Sequence, residues 1–277
     1  GAPMESVKAL LQRAVAAKGL ARVTLLENMV RALRKNPDRA ESDRTICKMV
    51  PTIWNFQYDE LARVRKIVVF LMERAALCNP SGFMPQALNV ATQGINDIDP
   101  ALCERSIVSI SQLLPRALQA ASTTTDQKLS REIWERFELA KERALNHIDH
   151  EATNVRNAVI AFMGKLVRIL TPSQRQSVHF NAANVPTDHS WIKIADLDAE
   201  GTSTLKKLLA LVQSGALPPA NLMVAVDTLA VVARECPSHV ALICPVIIIL
   251  ELKNPQLSVN DIHKLRIHLR NAIHVIL

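Results

Sequence analysis

Glycine is scarce in this sequence, with 7 in 277 residues, and aromatic side chains make up only 4% of it. So few glycines leave no phosphate-cradling loop: neither GxGxxG nor GxxxxGKS/T occurs. The shortage of strand-forming aromatics and turn glycines argues against a sheet-based fold. HExxH and GxSxG are also missing. The five cysteines (Cys47, Cys78, Cys103, Cys236 and Cys244) are odd in number and have no CxxC spacing, so they are expected to be reduced, buried thiols of an intracellular protein. No secretory signal follows Met4, because Glu5, Lys8 and Arg13 interrupt any apolar run. The most hydrophobic window, residues 240–252, is shorter than the ~20 residues that cross a bilayer, and it reads as a buried helix.

What the sequence has in quantity is aliphatic mass and long charged side chains: 49% of residues are hydrophobic and 21% are charged. That is an all-α composition. In residues 151–170, Val155, Val159, Phe162, Met163, Leu166, Val167 and Leu170 recur at helical spacing and predict one face pressed into a core. The Val155-Arg156 pair near that helix start has counterparts at Val64-Arg65 and Leu265-Arg266. Recurrence of this kind marks a unit of a stacked array.

Helices are predicted over 4–18 and 21–36, 39–56 and 58–78, 82–95 and 100–121, 125–148 and 150–170, 201–214 and 218–235, then 238–252 and 258–277. Asn36-Pro37 and Asn79-Pro80 end helices, while Asp99-Pro100 and Pro218-Pro219 open them. Comparable positions in the second helices are Val64, Val108, Val155, Val224 and Leu265, at steps of 44, 47, 69 and 41 residues. Three of these steps lie in or near the ~40–47 residue period of HEAT and armadillo repeats. The long one exceeds them by about the length of the 171–200 loop. The expected fold is thus an all-α superhelix, a HEAT/ARM-like solenoid of five to six antiparallel helix pairs forming a single domain over 1–277. Phe180, Val185, Trp191, Ile192 and Ile194 carry enough apolar mass to fold part of that loop back onto the array. Gly1-Ala2-Pro3 reads as a tag remnant, and the apolar finish Ile273–Leu277 as the sign of a fragment from a longer chain.

Few groups could carry chemistry. His147-x-x-His150, beside Asp149 and Glu151, could offer two metal ligands, but it falls at a helix–helix turn without a third, so a turn closed by imidazole hydrogen bonds is expected. His263, His268 and His274 do not share a helical face and read as solvent-exposed. Asp196, Asp198 and Glu200 resemble the start of a calcium loop, but no glutamate closes it, and acids favoured near a helix N-terminus explain them better. Cys47 and Cys103 have no basic neighbour to activate them. No catalytic constellation, metal site or cofactor site emerges, and the chain reads as a binding surface.

Its net charge of +7 is uneven: 14 of 33 Lys and Arg fall within residues 1–78, against 8 of 26 acids. A basic end of this kind suits RNA or an acidic partner surface.

Several motifs together resemble the symplekin family in its N-terminal HEAT/armadillo-like domain. They are Val64-Arg65-Lys66, Ser111-Gln112-Leu113, Leu170-Thr171-Pro172, and the loop Pro186-x-Asp188-His189-x-x-Ile192. Glu200-Gly201 as a step into a helix, Ala230-x-x-Ala233-Arg234-x-x-Pro237, and Leu265-Arg266 with Leu269 complete the set. The resemblance implies a non-enzymatic scaffold of nuclear pre-mRNA 3′-end cleavage and polyadenylation. In that family the concave face, built from second helices, holds a phosphatase of the RNA polymerase II C-terminal domain. By helical phase the corresponding strip here would be Lys66, Val69 and Glu73, then Arg105, Ser109, Gln112 and Arg116, then Asn157, Ala161, Lys165 and Arg168.

The partners so implied are that phosphatase and other cleavage and polyadenylation factors, bound by a monomer with no membrane contact. A direct RNA-binding module using the basic first repeats is the alternative. Against it, Trp54, Phe56, Tyr58 and Phe70 sit at spacings expected of packing. An importin-like transport adaptor would share the array, yet such adaptors present regular Trp and Asn ladders and this chain has three Trp.

Overall fold

A computed structural model describes residues 2–173, 179–252 and 257–276. The predicted 171–200 loop therefore falls partly outside the described residues, as do Gly1 of the expected tag remnant and Leu277 of the apolar finish. Among the described residues twelve α-helices account for all the long elements: α1 (Ala2–Ala16), α2 (Gly19–Lys35), α3 (Arg39–Trp54), α4 (Ala62–Cys78), α5 (Pro80–Ile95), α6 (Pro100–Thr123), α7 (Gln127–Leu145), α8 (Thr153–Leu170), α9 (Ile194–Gln213), α10 (Pro219–Glu235), α11 (Val240–Leu252) and α12 (Val259–Ile276).

Local chemistry sets many of the boundaries. Asp38 accepts the Glu41 amide at 2.8 Å, and Asp99 accepts those of Ala101 and Leu102 at 2.9 and 3.0 Å. Each satisfies N–H groups that the first helical turn leaves without partners. Pro80, Pro100 and Pro219 occupy first helical positions, where a missing N–H costs nothing. Gly215, at φ 71°, ends α9 in the left-handed region that side chains disfavour.

The chain forms two compact units, residues 1–143 and 144–277. In the first, α2, α4 and α6 pack in succession as one wall, backed by α1, α3 and α5. In the second, α8, α10 and α12 pack in succession, with α9 against α8 and α11 against α10 and α12. The whole predicted stripe of α8 is buried, and Ile160 and Ile169 are buried with it. Each fully buried aliphatic chain contributes about 1.5–3 kcal/mol.

Four expectations need correction. Helix α4 starts at Ala62 rather than 58, because residues 55–61 form a turn whose Asp59 and Glu60 carbonyls are held by Arg65. In consequence Tyr58 is 75% exposed instead of packed. Helix α9 starts at Ile194, seven residues before the predicted 201. Gly201 lies inside it, where a Cβ would come within 3.0 Å of Thr171 Oγ1, so this glycine marks a close approach and not a helix start. Helix α11 is not buried all round: Ile243, Val246 and Ile247 are, but Leu242, Ile248 and Ile249 are exposed because α9, α10 and α12 cover only part of its surface. Cys78 is exposed at the end of α4, while Cys103 and Cys236 are buried, and burial pushes both of those thiols up to about 11.

The loop before α9 does fold back. Ala182, Val185 and Ile192 are buried, and the 3-10 turn Ala182–Asn184 packs on α9. His189 Nδ1 accepts the Ile192 amide at 2.9 Å, and the Lys193 ammonium donates to the His189 carbonyl at 2.6 Å. The spacing of His189 and Ile192 therefore serves to turn the chain into α9. Just after the 146–149 turn, His150 Nδ1 accepts the Ala152 amide at 3.0 Å, an imidazole hydrogen bond of the kind expected there. His268 is half-buried, and its Nδ1 lies 2.8 Å from an Asp227 carboxylate oxygen at the surface.

Thr171 Oγ1 lies 2.9 Å from His239 Nε2 where both are buried, and burial holds this imidazole below its ordinary value. The unfolded chain takes up its proton near pH 6.5, whereas the folded chain does so only at lower pH. The stability lost to protonating this buried ring is therefore absent above about pH 6.5 and grows as pH falls through the folded value. Melting at pH 7.5 and 5.5 should show a smaller acid-induced fall for His239→Gln than for the parent chain; an equal fall would refute the assignment.

Candidate partner-binding surfaces

The recurring Val-Arg pairs have a common structural job. Arg65 donates through Nη1 to the carbonyls of Asp59 and Glu60 at 2.6 and 3.0 Å, and through Nε and Nη2 to Asp97 at 3.0 and 2.6 Å. Arg156 does the same at the same offsets: Nη1 donates to the carbonyls of His150 and Glu151 at 2.5 and 3.0 Å, and Nε to Asn221 Oδ1 at 2.9 Å. Arg22 forms an ion pair with Asp59. In each case an arginine near the start of one second helix reaches the entry of the next second helix in its unit. The planar guanidinium suits this role because its donors leave in fixed directions toward several acceptors at once. The recurrence was visible in the sequence, but the partners Asp97 and Asn221 were not.

The side chains expected at a partner surface divide into three groups. Val69, Glu73 and Ser109 do not face outward: they are 2%, 6% and 1% exposed. Their helical phase lies opposite the apolar stripes, but α2, α3, α5 and α6 all contact α4 and leave it a narrow open edge. Glu73 is ion-paired with Arg105 and hydrogen-bonded to Ser109; burial raises its carboxyl above the ordinary value although both partners act against the rise. This trio therefore joins α4 to α6.

The second group is half-buried. Lys66 lines a cleft of about 360 Å³ together with Arg34, Arg63, Phe70 and Arg105. Asn157 Oδ1 accepts from Asn221 Nδ2 at 2.6 Å, and Arg168 Nε donates to Glu235 at 2.6 Å. Burial, then the neighbouring Arg168, lowers the Lys165 ammonium below its ordinary value. The third group is exposed: Gln112 and Arg116 on α6, and Ala161 on α8. Arg116 Nη1 donates locally, to Gln119 at 2.7 Å.

Helical phase does not mark Phe70 and Arg34 as surface residues of a shared site. The Arg34 and Arg105 guanidinium carbons lie 4.8 and 5.4 Å from the Phe70 ring centroid, bringing α2, α4 and α6 together at one aromatic side chain. No spacing rule pairs residues so far apart in the chain.

Paired helices stacked so that second helices contact second helices define an armadillo-type repeat protein, and known structures agree. A designed armadillo repeat protein in complex with the peptide (KR)4 is 12% identical, with a TM-score of 0.51, over 97% of this chain and 98% of that one. A second designed armadillo repeat protein, 12% identical with a TM-score of 0.51, matches over 97% and 99%. An engineered protein that is 10% identical matches with a TM-score of 0.55 over 98% of both chains. At these identities the likeness concerns the fold. Residues 99–271 match the family described as Symplekin/PTA1 N-terminal, and the chain belongs to that family. Membership implies a scaffold role in the 3′-end processing of messenger RNA.

Proposed function

We propose that this chain is a non-enzymatic, nuclear scaffold domain that docks a phosphatase of the RNA polymerase II C-terminal domain on its second helices. Family membership supplies the process. The observation that carries the surface assignment is made on the second helices of each unit separately: Lys66, Gln112 and Arg116 in the first unit, and Ala161, Lys165 and Arg168 in the second, remain exposed or half-buried. Small Ala161 beside cationic side chains admits a close approach, and arginine is favoured among the residues that dominate interfaces.

Arg168→Glu would set a carboxylate beside Glu235 and mix folding with binding. Arg116→Glu and Ala161→Glu are cleaner, since both positions are exposed. Each should weaken capture of the phosphatase about tenfold with an unchanged melt. Wild-type retention with both substitutions present would overturn the reading.

Two other readings are less well supported. The designed relative binds a basic peptide, whereas the first unit of this chain presents cations. Of the three tryptophans, Trp54 is in α3, Trp134 in α7 and Trp191 before α9, so none forms a ladder on a second helix as a transport adaptor would need. For direct RNA binding the aromatic platforms are poorly placed: Phe56 is buried and Phe70 already contacts two guanidinium groups.

A further inference from the structure

We infer that the edge of α4 in the first unit is a groove for an extended, acidic segment of a partner protein, one that places an apolar side chain near Phe70 with carboxylates on either side. The inference rests on reading the second-helix wall as the binding side, but not on the phosphatase.

Two clefts meet at Phe70 and Arg34. One, of about 360 Å³, has Val30, Ile67 and Phe70 as its apolar lining and Arg34, Arg63 and Lys66 among its cations. The other, of about 430 Å³, adds Leu33 and Ile46 with Arg39 and Arg74. From Arg63 to Arg74 the helix rises about 16 Å, the length of about five residues of extended chain.

The charges along this edge are not balanced within the fold. Arg63 is paired with Glu27, Arg74 with Asp43 and Arg105 with Glu73. Arg34, Arg39 and Lys66 have no carboxylate partner among the described residues. Arg105 Nε is buried and makes no hydrogen bond among the described residues. An unsatisfied buried donor is uncommon in native proteins and calls for an explanation. The Arg34 guanidinium lies over the Phe70 ring and has no carboxylate partner among the described residues, so its N–H donors can serve a carboxylate of the bound segment.

Apolar lining and cationic rim together favour a protein segment over RNA. A phosphodiester chain would satisfy the cations but leave Val30, Ile67 and Phe70 uncovered. A peptide satisfies both, with alternate side chains pointing into the groove and the others toward its rim.

The test is fluorescence anisotropy on the whole chain with fluorescein-labelled Gly-Ser-Glu-Glu-Leu-Glu-Glu-Gly-Ser. Binding should weaken with rising salt, and Lys66→Glu should weaken it about tenfold. Lys66 makes no hydrogen bond or ion pair among the described residues, so this variant should keep the parent melt; Arg34→Glu serves as the second variant. Replacing the peptide leucine by glycine should weaken binding, and replacing the glutamates by glutamine should abolish it. Unchanged binding to Lys66→Glu, equal binding of the glutamine peptide, or tighter binding of a nonamer of uridylate at the same ionic strength would each overturn the inference. Phosphatase capture read in parallel separates the two proposals: capture without peptide binding removes the groove alone, and peptide binding without capture removes the phosphatase reading alone.

Discussion

Replacing Asn221 with leucine should destabilise the second unit by about 3 kcal/mol, the order expected when a hydrogen bond to a charged group is lost and its partners stay buried. Asn221 is 0% exposed and is satisfied on both sides. Its Oδ1 accepts from Arg156 Nε at 2.9 Å, while its Nδ2 donates to the Thr153 carbonyl at 3.1 Å and to Asn157 Oδ1 at 2.6 Å. Leucine fills similar space but offers no polar atom, so one guanidinium donor and two acceptors lose their partner together. For a chain of this length the melting temperature should fall on the order of 10 °C. Asn221→Asp is the informative companion. It keeps an acceptor for Arg156, as Asp97 does for Arg65 in the first unit, but sets a carboxylate against the Thr153 carbonyl. It should fall between the parent and the leucine variant. A leucine variant melting within a degree of the parent would show that the carbonyls of His150 and Glu151 suffice for Arg156.

Gly164→Ala should also destabilise the second unit, against the trend of local propensity. Alanine is favoured over glycine inside a helix by about 1 kcal/mol, so at an open helical site the change would stabilise. Here a Cβ would stand 2.1 Å from Thr228 Cγ2, because α8 and α10 cross closely at this glycine. Overpacking of that kind costs about 1–3 kcal/mol. Thr228 has only a short, β-branched side chain with which to yield. Adding Thr228→Ser removes the obstructing methyl group and keeps the hydroxyl. The double variant should then equal or exceed the parent in urea unfolding, since the propensity gain remains after the clash has gone. A double variant no more stable than Gly164→Ala would show that the backbone approach, and not this methyl, requires the glycine.

Both substitutions act where one second helix meets the next, and such contacts are where the sequence was least informative. Glycine and asparagine inside a helix look like weak points when read along the chain. Only the facing helix shows that one permits a close crossing and the other closes a polar network.

Composition and spacing along the chain are enough for the helical class, the pairing of helices, most of their boundaries and the resemblance to the symplekin family. These follow from spacings within about four residues, from caps such as Asp38 and Asp99, and from prolines at helix starts, all of which act locally. The sequence also displays the recurring arginines, because a repeated structural role leaves a repeated residue. Tertiary structure alone decided which polar side chains remain open. Val69, Glu73 and Ser109 occupy helical phases that would face solvent on an isolated pair, but flanking helices close over them, and Glu73 then needs Arg105. Phe70, Arg34 and Arg105 come from three different helices, so no reading along the chain could assemble them. Periodicity reports the direction a side chain takes from its own helix, whereas burial depends on how many other helices lie in that direction.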